Sequence, residues 1–105
     1  MSTHVVYGAI SGAVEGMPTF VGKTISGGEA MAESGTSAQS SSAITAHSDY
    51  TRATYAWRIA AIGAPVYVAV GDNPTVTVAN GVYLGVGAVE WIVGTIGDKV
   101  AIKTI

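Results

Sequence analysis

Two histidines, seven carboxylates and a run of serines are the residues with which this 105-residue chain could do chemistry. His47 stands two positions before Asp49 and just after Ser40-Ser41-Ser42, so a Ser-His-Asp relay comes to mind. A relay needs the acid buried and hydrogen-bonded behind the imidazole. Two residues spaced i and i+2 on a polar turn do not supply that, and serines in a small-residue tract are ordinary loop residues. His4 lies far from His47 in the sequence and shares no regular spacing with it or with a carboxylate, so a metal site is not expected. Glu15, Glu29, Glu33, Asp49, Asp72 and Asp98 fall at turn-like positions, where carboxylates are solvated or form the turn. A glycosidase pair is therefore not read from them. Glu90 differs, because it lies between Val89 and Trp91 inside an apolar run. It reads as an outward charge that guards a sheet edge, or as one half of a salt bridge between subunits to Arg52 or Arg58. Gly22-Lys23-Thr24 imitates a phosphate loop, but Met17 stands where the first glycine belongs. No enzyme, cofactor or metal is expected.

The elements that would position these residues are short and rich in Val, Ile, Tyr and Trp. The spacing predicts strands over 4–10, 18–25 (with Gly22 as a bulge), 44–46, 53–62, 66–70 and through the last third, ended by Gly, Asn, Asp or Pro. The first of these is expected at a sheet edge. Turns are expected at 12–16, Gly27-Gly28, 47–50, Asp72-Asn73-Pro74, Asn80-Gly81 and Gly97-Asp98. Over 53–62 the alanines favour helix, but Trp57, Ile59 and Ala61 alternate with Arg58 and Ala60 as a strand would have them. With Gly63-Ala64-Pro65 as a short link, this strand and 66–70 read as a hairpin. Val66, Val68 and Val70 share one face, and Val100 and Ile102 point inward with Lys103 outward. The fold class expected is all-β: an antiparallel β-sandwich or small jelly roll of about eight short strands in a single domain over 1–105. Within it, 1–33 gives N-terminal strands that could serve as an anchor arm, 34–42 a Ser-rich loop, and 43–105 the main strands.

Composition narrows the function. Apolar residues make up 49% and charged residues 11%, and mean hydropathy is +0.43. Charged residues usually account for about 25%, so much apolar surface would face water on an isolated monomer. A protein partner or a homo-oligomer (dimer or trimer) is expected. No stretch approaches the roughly 18 consecutive apolar residues of a spanning helix, and the N-terminus has no secretory signal pattern, so no membrane role is expected. Five scattered basic residues and a net charge of −2 give no stripe for phosphates, so nucleic acid is not an expected partner. The chain has no cysteine, hence no disulfide and no thiolate chemistry. The aromatic residues fall mostly in apolar strands and suit packing better than a sugar platform. Trp57, Trp91, Glu90, Tyr67 and Tyr83 are the candidate interface residues.

The order Pro65-Val66-Tyr67-Val68-Ala69-Val70-Gly71-Asp72-Asn73-Pro74-Thr75, Asn80-Gly81-Val82-Tyr83-Leu84, Glu90-Trp91 and Gly97-Asp98-Lys99-Val100-Ala101-Ile102 resembles small structural proteins of tailed bacteriophages, and Gly35-Thr36-Ser37-Ala38-Gln39 fits the same style. The likeness spans roughly the last seventy residues and consists of turn chemistry and strand pattern. It implies a virion component made in the host cytoplasm, of which a capsid decoration or cement protein on the major coat protein is the leading form. A head–tail connector or fibre-attachment protein is the alternative within the virion, and a carbohydrate-binding β-sandwich module is the alternative outside it.

Overall fold

The computed structural model describes residues 2–10, 27–45 and 54–105. These form eight strands: β1 (Ser2–Ile10), β2 (Gly27–Ala32), β3 (Ala38–Gln39), β4 (Thr54–Ala61), β5 (Val66–Gly71), β6 (Val82–Leu84), β7 (Val89–Gly94) and β8 (Lys99–Thr104). They pair antiparallel into two four-stranded sheets, one in the order β2-β1-β4-β7 and the other β3-β8-β5-β6. The chain is a small all-β sandwich, as the strand and turn pattern predicts.

Alternation along the strands builds the core. Val5, Tyr7 and Ala9 of β1, Tyr55, Trp57, Ile59 and Ala61 of β4, Val66 and Val68 of β5, and Val100 and Ile102 of β8 join one buried cluster. Each fully buried Val, Ile or Leu side chain is worth about 1.5–3 kcal/mol of transfer free energy. Trp57 is wholly buried at the centre. Its ring meets Tyr7 edge-on at 5.0 Å, and its indole N–H donates to the Asp98 carbonyl at 3.3 Å. The competition between helix and strand over 53–62 is thus decided by tertiary pairing: β4 lies between β1 and β7 and buries its Trp57/Ile59/Ala61 face.

Four expectations are corrected. β1 is interior, between β2 and β4, and is buried on both faces from Val5 to Ala9. Gly27-Gly28 opens β2 instead of turning the chain. A Cβ on Gly27 would lie 2.6 Å from the Tyr7 ring, and one on Gly28 would lie 2.7 Å from the Val5 carbonyl, so close approach to β1 is the reason for both glycines. β4 and β5 do not form a hairpin. Both sides of β4 are taken by β1 and β7 and both sides of β5 by β8 and β6, so residues 62–65 carry the chain from one sheet to the other. Ile44 is in no strand. It is buried in the core while its N–H donates to the Asp98 carbonyl (2.9 Å) and its carbonyl accepts from Gly97 (2.8 Å).

The Ser-rich stretch is a tied connection. It contains β3, and Ser40 is buried, with its hydroxyl donating to the Ser42 carbonyl (2.8 Å) and accepting from Val100 N–H (3.1 Å). Asn80-Gly81 closes the ten-residue connection 72–81 between β5 and β6. Thr77 N–H donates to Asn80 Oδ1 (2.7 Å), and a Cβ on Gly81 would meet Val76 and the Tyr67 Cβ at 2.8 Å. That connection folds over the outer face of the second sheet: Val76 is buried, and Gln39 on that face donates to the Pro74 carbonyl at 2.9 Å. Gly97, at φ 96°, makes the turn into β8, where Asp98 Oδ2 accepts from Thr95 N–H (2.8 Å). β1 and β2 belong to the same sheet as β4 and β7, with β1 paired to β4 from Thr3 to Ile10. The strand predicted over 18–25, its Gly22 bulge, and the turns at 12–16 and 47–50 lie outside the described residues.

Candidate functional site

Several of the residues that could carry chemistry are committed to the backbone. Ser37 Oγ accepts from Val76 N–H (2.9 Å), and Ser40 holds Ser42 and Val100. Glu29 Oε1 accepts from Ser42 N–H (2.9 Å). Glu33 Oε2 accepts from Ala64 N–H (2.9 Å) and from the Thr3 hydroxyl (3.4 Å), so one carboxylate ties the end of β2 to β1 and to the link between the sheets. Asp98 holds its own turn. His4 is exposed on β1, while His47 and Asp49 lie outside the described residues. Among the described residues no cluster of His, Asp or Glu could hold a metal ion. None of their helices is long and apolar enough to cross a membrane. A groove of about 250 Å³ between β2 and β3 is lined by Glu29, Met31, Gln39 and Ser41. Its Glu29 and Gln39 side chains already hold Ser42 and the Asn73–Pro74 corner.

The five candidate interface residues do not converge on one face. Trp57 is fully buried and cannot touch a partner in the folded chain. Glu90 sits on β7, an edge strand as expected, but not facing outward. Opposite Ile59, and on the same side of the strand as Ile92, which packs on the core, it occupies the core-facing side at the rim. Trp91 is opposite Arg58 on the other side of that sheet, so Arg58 and Glu90 lie on different faces. Arg52 lies outside the described residues. Tyr67 and Tyr83 pair across β5 and β6 on the outer face of the second sheet, rings edge-on at 5.7 Å, with Lys103 paired to Tyr67 on its other side.

What residue-by-residue reading missed is a flank. Among the described residues nine large apolar side chains are markedly exposed, and five of them, Val82, Tyr83, Val86, Val89 and Val93, fall within residues 82–93. β6 ends one sheet, β7 ends the other, and residues 85–88 join them, so the two edge strands lie along one flank of the sandwich, with Tyr83 on the outer face of the second sheet and Val89 and Val93 on the outer face of the first. Ile62 adds to it, since its neighbour Ala61 is hydrogen-bonded to Gly87 and Ala88. Glu90 is the single charge between Gly81 and Gly97. The signal in the sequence was that charge gap; only the topology brings its two edge strands together.

The fold and this flank define the class: a small antiparallel β-sandwich with an apolar, charge-poor edge. Comparison with protein families, curated proteins and solved structures found no match for the chain.

Proposed function

We propose that this protein is a structural component of a tailed-phage virion that decorates or cements the capsid by binding coat subunits, with the β6–β7 flank as its adhesive surface. The observation that carries the adhesive role is the flank itself: five exposed large apolar side chains in twelve residues with one charge among them. Apolar patches of this kind on small soluble domains mark interaction sites. The virion setting rests on the resemblance of the last seventy residues. Adhesion also agrees with the commitment of Ser37, Ser40, Glu29, Glu33 and Asp98 to backbone hydrogen bonds. Many identical contacts on a lattice would add up through multivalency to a large stabilisation of the shell.

Val86→Asp tests the surface. Val86 is 59% exposed at the β6–β7 turn, so its replacement leaves the sandwich folded. Binding to coat-protein shells, followed by co-sedimentation, is expected to fall at least tenfold, whereas wild-type binding persists in 1 M salt, where charge contacts are screened beyond about 3 Å. Undiminished binding of the variant would remove the flank from the account. A connector or fibre-attachment role shares the virion setting and separates by copy number. The carbohydrate-binding reading has Tyr83, 54% exposed beside Tyr67, in its favour. The two rings stand 68° apart, however, and do not form a flat stacking platform.

A further inference from the structure

The geometry points to a second copy of this chain as the partner of β7: two molecules pair their β7 strands antiparallel about a two-fold axis at Trp91, joining two four-stranded sheets into one of eight. This rests on reading the flank as an assembly surface, and it names the occupant of one part of it.

The hydrogen-bond phase of β7 fixes which groups face outward. Ala61 N–H donates to the Ala88 carbonyl at 3.1 Å, in the same register as the pairs Ile59↔Glu90 and Trp57↔Ile92. Backbone groups alternate in direction along an antiparallel strand, so 88, 90, 92 and 94 turn theirs toward β4. Val89 and Val93 turn theirs away, along the edge where the sheet ends. Both also carry exposed side chains, 36% and 65%. A strand edge with exposed apolar side chains and no lysine or proline is a template for another strand.

The sequence of that edge selects a second copy over a foreign strand. Val89-Glu90-Trp91-Ile92-Val93 is symmetric about Trp91 on the outer side, valine–tryptophan–valine, as a two-fold axis requires. About that axis Val89 meets Val93 of the second copy, and Val93 meets its Val89. Glu90 meets Ile92 of the second copy, so the one charge of the strand is not placed opposite its own image, an arrangement that would be destabilising. An axis at Glu90 would do just that. The pairing covers the exposed Val89 and Val93 side chains and the outward main-chain groups of β7 in both copies. β6 and Val86 remain on the flank for a different partner.

The absence of native cysteine makes the register directly testable. Val89→Cys and Val93→Cys are prepared separately, then oxidised alone and as a mixture. In this register the mixed pair has Cα atoms about 5.5 Å apart, within the disulfide range of roughly 4.4–6.8 Å. Two copies of one variant place their thiols four residues apart along the strands, about 13 Å. The mixture is expected to give at least tenfold more disulfide dimer than either variant alone. The wild-type chain is expected to sediment as a dimer at ~100 µM, and Val93→Lys as a folded monomer. Equal cross-linking in all three samples, or a monomeric wild type, overturns the pairing. A monomer that still binds coat shells would overturn the pairing while leaving the adhesive role intact. A register-specific dimer indifferent to the shells would support the pairing and sink the virion role.

Discussion

Trp57→Ala will destabilise the sandwich by about 3–5 kcal/mol, a range typical of truncating a large buried aromatic. The ring is fully buried between the sheets, edge-on to Tyr7, and its N–H is bonded to the Asp98 carbonyl beside the turn into β8. Truncation removes the packing of both sheets and leaves a cavity lined by rigid strands that have little freedom to collapse into it. Equilibrium denaturation in urea measures the loss, and a domain of this size has only about 5–15 kcal/mol to lose. Trp91→Ala is expected to cost clearly less, because Trp91 lies outside the core cluster and on the other face of its sheet. Equal losses in the two variants would contradict the burial described for Trp57.

Glu33→Ala will cost about 2–3 kcal/mol, in the range for orphaned donors that had bonded to a charged acceptor. Its Oε2 receives Ala64 N–H and the hydroxyl of Thr3, a residue with no exposed surface. Without it, two polar groups at the junction of β1, β2 and the crossing link are left without that acceptor. Glu33→Gln keeps an acceptor oxygen and should recover about half of the loss or more. If alanine and glutamine cost the same in urea denaturation, the carboxylate does not hold that junction.

Fold class was legible because it depends on local periodicity. The alternation Trp57/Ile59/Ala61 and Val66/Val68/Val70 is visible in the chain itself, and burial follows it up to Val70, which is half-buried at the end of β5. Non-local pairing was not legible. Whether Gly63-Ala64-Pro65 closes a hairpin or carries the chain between sheets depends on β1, β7, β6 and β8 competing for the same edges, and no local signal ranks those competitors. Gly27-Gly28 looked like a turn because glycine's permissiveness was weighed, whereas the structure uses its lack of a Cβ beside Tyr7 and Val5. The candidate site was harder still. Trp57 and Trp91 are alike in sequence terms, yet one fills the core and the other lies on an outer face. Glu90 was correctly placed at an edge, but its direction follows from a register set by Ile59. The exposed valines of 82–93 look like core residues until the sheet order puts β6 and β7 at the ends of their sheets.

The most direct measurement is the copy number of this chain in purified phage particles, by quantitative mass spectrometry scaled to the major coat protein. A decoration protein is expected at a number comparable with the coat protein. A few copies per particle would indicate a connector or fibre-attachment component, and complete absence from the particle would contradict the structural role.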